Sequence, residues 1–320
     1  MTGVLATSGV VIGLFLLLVY LTFGNLPGKT LAVAQAAYRE SVRQPLFWFL
    51  LAFSVFFMLL SVVLPYFTLG EDIKMMKDLQ LDAILLPTLI LCIFTAAIAI
   101  SEEIEGRTAI TLLSKPVARW QFLLGKFLGI LLAGVLMALI LTVVLGCTIN
   151  FKIQYESLEN EFPGKKQDVT EITEALSTLP TVVAKPLEFV LLVSAAIKAM
   201  APGPLLVMCQ VMIMTSLAVA LATRLPLVVN LVICFSFFFL GRLTPVLVQV
   251  AGENALVKFI AQVFGILLPD LGLYDVGPTL ALGNSEIPWS YILQAWLQGL
   301  FYSAIGLILG LVLFEDRDLA

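Results

Sequence analysis

The sequence contains no histidine. That removes the commonest metal ligand and the usual proton carrier near neutral pH. Charge is scarce too. Asp, Glu, Lys and Arg make up 12% of the chain, where soluble domains carry about a quarter. The four cysteines, Cys92, Cys147, Cys209 and Cys234, all lie in apolar runs without CxxC spacing. They read as small buried hydrophobes rather than as a metal or disulfide framework. No basic cluster suggests nucleic-acid binding, and a net charge of −4 points to no partner. No run alternates apolar with polar residues, which excludes the strands of an outer-membrane barrel. No apolar run holds a pair of acids to relay protons, which counts against an ion-coupled carrier and an intramembrane enzyme.

Apolar residues are what the chain has in excess, at 60% of 320. A soluble fold of this size cannot hide that much apolar surface, so lipid must cover part of it. Crossing hydrocarbon takes about 20 apolar residues in a helix. Seven stretches read as spans: 4–23, 46–65, 83–100, 122–149, 205–223, 227–240 and 289–314. The first lacks a charged leader and an A-x-A site, so it reads as a retained span, with a signal anchor as the close variant. Between the first two, TLAVAQAAYRESVRQ has apolar residues at helical spacing and predicts a helix lying along the membrane. Residues 70–82 read as a polar connection, and 150–188 as a long polar insert containing a short amphipathic helix, QDVTEITEALSTL. Residues 189–200 suggest a half-helix broken at Pro202 and Pro204. Residues 256–268 are too short to span and read as re-entrant or interfacial. The fold class is all-α integral membrane.

Lys and Arg in short loops orient such a protein. Lys29, Arg39 and Arg43, then Arg107, Lys115 and Arg119, then Arg224, then Arg317 fall on one face if there are seven spans. That face is expected to be cytoplasmic, with the insert opposite. Lys152, Lys165, Lys166 and Lys185 of the insert are weak signals in a long segment. Lys126, Lys198, Arg242 and Lys258, near the ends of apolar runs, are expected to snorkel to the interface. Two glycine pairs, Gly125 with Gly129 and Gly306 with Gly310, permit close helix approach, within the chain or at a dimer seam. Within spans the polar residues are few, Gln210, Thr215 and Asn230 among them, which suits a hydrophobic cargo. The stretch FGNLPGKT imitates a phosphate-binding loop, but its first glycine is Phe23. It also lies between two membrane segments, where no nucleotide-binding domain fits.

The most distinctive local feature is SEEIEGRTAITLLSKPVARWQFLLGKFLG, residues 101–129. Glu102, Glu103 and Glu105 sit where a span leaves the membrane. Arg107 and Thr108 follow, then an amphipathic piece ending in Leu112 and Leu113. Ser114-Lys115-Pro116 breaks the helix, because a residue before proline avoids the helical region. Arg119 and Trp120 restart the chain at the interface. One reading is an ordinary loop with snorkelling charges. The other is a rigid hinge that a partner protein grips.

This pattern resembles the permease subunits of type-2 ABC transporters. TRLPLVVNLVICFSFFFLG resembles the family's fifth core span, and the closing span with its tail LFEDRDLA resembles the family's last. The resemblance implies about six core spans, with residues 1–24 as an extra N-terminal span. Residues 25–320 would form the permease domain, including the insert at about 150–188. It implies an elbow helix carrying Arg39, Glu40 and Arg43. It also implies a cytoplasmic coupling helix within 101–120 that docks on a separate ATPase subunit. ATP would be hydrolysed there, and no cofactor would be bound by this chain. The implied setting is a lipid bilayer, the inner membrane in a bacterium, with two permease subunits paired, export as the direction and a cytoplasmic C-terminus. The alternative is a non-transporting scaffold subunit that docks through its insert.

Overall fold

A computed structural model describes residues 28–64, 72–105, 118–159, 181–250, 269–282 and 287–315. Among them are nine α-helices, one 3-10 turn and no strand. The helices are α1 (Lys29–Arg43), α2 (Pro45–Val63), α3 (Asp72–Glu105), α4 (Arg119–Glu159), α5 (Thr181–Met200), α6 (Pro202–Ala222), α7 (Leu227–Val250), α8 (Gly277–Leu282) and α9 (Trp289–Glu315). The 3-10 turn, Leu271–Tyr274, precedes α8.

Proline punctuates the chain. Gln44 and Leu64 each precede a proline and adopt ψ 135° and 127°, so α1 and α2 end there. Pro45 and Pro202 open α2 and α6, where a missing N–H costs nothing. Gly28 enters α1 at φ 102°, a conformation that favours glycine.

Helices α2, α3, α4, α6 and α9 are long and apolar enough to cross a bilayer. They coincide with the stretches expected at 46–65, 83–100, 122–149, 205–223 and 289–314. The expected span 227–240 lies in α7, whose apolar part Leu227–Leu243 is shorter. The expected span 4–23, the helix QDVTEITEALSTL and the stretch 256–268 lie outside the described residues.

Helix α6 is the axis of the bundle, with 83% of its apolar window buried; α3 follows at 78%. Residues Met208 to Ser216 of α6 are buried without interruption. Helices α2 and α9 stand outside, at 28% and 22%. Phe49, Phe53 and Phe56 of α2, and Leu293, Phe301 and Ile305 of α9, are exposed. Such apolar faces suit lipid tails.

Two expectations are corrected and two are given partners. Residues 70–82 are not a plain polar connection: from Asp72 onward they are the first turns of α3. The insert is shorter than 150–188, because α4 runs to Glu159 and α5 starts at Thr181. Lys126 and Arg242, expected to snorkel, take partners inside the chain. Lys126 is 4% exposed and pairs with Glu40 at 3.2 Å. Arg242 bridges Asp82 at 3.0 Å and Asp275 at 2.7 Å. A charge in an apolar setting lowers its free energy by taking a partner when one is within reach.

Candidate functional site: the bundle end around residues 101–120

Helix α3 carries 34 residues and α4 carries 41. At ~1.5 Å per residue they extend about 51 and 62 Å, against about 30 Å of hydrocarbon. Both therefore overshoot a bilayer, and the segment 106–117 connects them at one end. Glu102, Glu103 and Glu105 form the last turn of α3. Arg107, Thr108, Leu112, Leu113, Ser114, Lys115 and Pro116 lie outside the described residues. The chain resumes at Ala118, whose carbonyl accepts from Phe122 N at 3.1 Å and starts α4. Gln121 Oε1 accepts from Ala118 N at 3.1 Å, which satisfies one of the amides left over at a helix start.

Around this point several elements converge. Arg119 donates through Nη1 to the Phe314 carbonyl at 3.4 Å, and its guanidinium lies 5.6 Å from the Phe314 ring centre. Phe314 is 1% exposed and stacks near Phe122, 6.3 Å between centroids. Arg224, in the turn after α6, donates through Nε to the Leu313 carbonyl at 2.7 Å. The start of α4, the α6–α7 turn and the end of α9 are thus one junction.

Helix α1 belongs to the same end. Its small residues pack on α4 at Gly125 and Gly129. A Cβ on Gly125 would stand 2.7 Å from Val33 Cβ. One on Gly129 would overlap the Ala34 carbonyl and stand 2.6 Å from Ala37 Cβ. Ala34, Ala37, Tyr38 and Ser41 are the buried face of α1. Arg39 is half-buried, Glu40 holds Lys126, and Arg43 is exposed in the last turn. The second glycine pair meets α6: a Cβ on Gly306 would stand 2.6 Å from Ser216 Oγ, and one on Gly310 3.0 Å from Ala220 Cα. Both pairs are thus occupied by contacts inside the chain.

The opposite end is polar in another way. Gln80 of α3, fully buried, donates to Ser61 Oγ of α2 at 3.1 Å and accepts from Thr148 Oγ1 of α4 at 3.0 Å. Lys152, expected in the insert, is on α4 and donates to the Val62 carbonyl at 3.4 Å. Gln210 of α6 donates to the Leu271 carbonyl at 3.0 Å. Arg242, Asp82, Asp275, Tyr274 and Gln210 line a cavity of about 20 Å³, room for about one water. Sequence reasoning missed Phe314, Asp82 and Asp275 as partners of arginines. A terminal aromatic and two isolated acids give no local signal of what they touch.

Among the described residues no group of acids and cysteines is placed to hold a metal. The family model for ABC-2 family transporter proteins matches residues 31–319, and the chain belongs to that family. No curated protein matches it. The family consists of membrane permeases without an ATPase domain, and this chain is not itself an enzyme. Such permeases generally pair with ATPase subunits. The chain is a multi-pass membrane protein.

Proposed function

We propose that this chain is the permease subunit of an ATP-driven exporter, coupled through residues 101–120 to a separate ATPase subunit. One observation carries the reading. The segment 106–117 joins the tips of the two longest helices, both of which overshoot a bilayer. A push at that segment moves two stiff levers at once, and α3 is also one of the two most enclosed helices. Glu102, Glu103, Glu105, Arg107, Thr108, Leu112, Leu113, Ser114, Lys115 and Pro116 form the docking segment, and Arg119 closes it onto the bundle. Helix α1 serves as the elbow, with Arg39, Glu40 and Arg43 at its end. The face carrying these cations is cytoplasmic, by the excess of Lys and Arg in its short segments. Two permease subunits pair over two ATPase subunits, ATP is used by the partner, and this chain binds no cofactor. Residues 1–24 add a further span to the permease domain 25–320.

Only a grip that differs between ATP-bound and free partner can drive such a switch. The test replaces Glu105 and Arg107 together by alanine and measures how much ATPase subunit co-purifies. A loss of about tenfold is expected, since charge-assisted contacts at a docking surface contribute on the order of 1.4 kcal/mol or more. Unchanged co-purification would remove the docking role.

A further inference from the structure

Helix α9 is the least enclosed of the five long apolar helices, at 22%. Glycines hold it along α6, and its last turn is held from two sides. A cation near the C-terminal end of a helix meets the negative end of its dipole. The Leu313 and Phe314 carbonyls lie in the last described turn of α9, which runs to Glu315. Each accepts from an arginine, Arg224 at 2.7 Å and Arg119 at 3.4 Å. The two arginines come from different elements. Arg119 is the first residue of α4, beside the segment 106–117, while Arg224 sits in the turn between α6 and α7. The Phe314 ring is 1% exposed, under the Arg119 guanidinium and against Phe122. Leu123, next in α4, stands 3.1 Å from where a Cβ on Gly310 would be.

We infer that Arg119, Arg224 and Phe314 are positioning residues of an internal relay, which fastens the end of α9 to the first turn of α4. Displacement of residues 101–120 is thereby passed to α9, on the lipid-facing outside of the bundle, as well as to α3 and α4. This rests on the coupling reading above. It gives Arg119 a role inside the chain, distinct from the docking residues that precede it. The contacts suit a relay because they end on backbone. A side chain that grips a helix carbonyl moves the helix, whereas one that grips another side chain can be absorbed by a rotamer change.

The test uses the full chain co-purified with its ATPase subunit in lipid nanodiscs. Amide hydrogen exchange is followed with and without ATP plus vanadate. In the wild type, trapping is expected to change exchange in residues 119–129 and in 306–315. In the double variant Arg119→Gln/Arg224→Gln, the ATPase subunit still co-purifies and the change in 119–129 persists. The change in 306–315 falls to about a tenth, with the loss of two charge-assisted hydrogen bonds. Phe314→Leu, a milder substitution, halves it or more. Arg224→Lys keeps a cation near the Leu313 carbonyl and retains it. A full change in 306–315 without both arginines, with the ATPase subunit still bound, overturns the relay alone. Loss of the ATPase subunit from the double variant makes Arg119 or Arg224 a docking residue and also overturns it. A wild-type chain that holds no ATPase subunit overturns the coupling reading, and the relay with it.

Discussion

The two ends of the bundle use arginine differently. At the end that carries residues 101–120, Arg119 and Arg224 reach backbone carbonyls of α9. At the other end, Arg242 sits between two carboxylates on separate elements, Asp82 of α3 and Asp275 after the 3-10 turn. The first end adds backbone-close packing, with α1 against Gly125 and Gly129. The second adds side-chain hydrogen bonds, Gln80 to Ser61 and Thr148. The difference separates two jobs. Side-chain ion pairs and amides join α2, α3, α4 and α7 at the second end, and they depend on charge. Arginine contacts to backbone carbonyls and glycine packing, with the single Lys126–Glu40 pair, hold the first end, and they transmit position.

Predictions that break or sharpen this contrast run from large to small. The largest is Gly129→Leu. A side chain there meets the Ala34 carbonyl and Ala37, so α1 must leave α4. A loss of about 3 kcal/mol is expected, read as a lower thermal midpoint in detergent. A midpoint within a degree or two of wild type would mean that α1 does not pack on α4 as described. Next is Arg242→Ala, which leaves Asp82 and Asp275 facing each other. The side chains are 29% (Arg242), 44% (Asp82) and 30% (Asp275) exposed, so water screens the pair and the loss is about 1 kcal/mol. Raising salt should narrow the gap to wild type. A gap that salt leaves unchanged would take the charge out of the account of this end. The smallest is Gln80→Leu. Ser61 and Thr148 keep backbone acceptors one turn away, Met58 and Leu145. The loss is therefore about 0.6 kcal/mol, typical of a polar contact between helices in lipid. A loss several times larger would make Gln80 a keystone of that end.

Much of this fold is written in local hydropathy. A window of Leu, Ile and Phe marks α2 or α9 without reference to anything else. Hydropathy does not say which helix lies at the centre. Helices α6 and α9 are both apolar, yet 83% of one window and 22% of the other is buried. That depends on which small residues face which neighbour, Gly306 to Ser216 and Gly310 to Ala220. The start of α3 was hidden for a different reason. DIKMMKDLQLD carries charges that read as a connection, but its helix continues because Gln80 and Asp82 find partners in α2, α4 and α7. Arg242 and Asp82 are 160 positions apart in sequence, so no local window pairs them. At the candidate site the motif proposed to dock, from the acids through Lys115-Pro116, is contiguous in sequence. The grip of Arg119 on Phe314 is not, since it joins the first residue of one helix to the end of another.

The claim that matters most is that residues 102–116 meet an ATPase subunit while the far end does not. A photo-crosslinking amino acid placed at Leu112 or at Trp289, in membranes containing both subunits, tests it directly. Trp289 is 66% exposed at the opposite end of α9. The account predicts a crosslinked permease–ATPase band from position 112 and none from 289. No band from 112, or an equal band from 289, would contradict it.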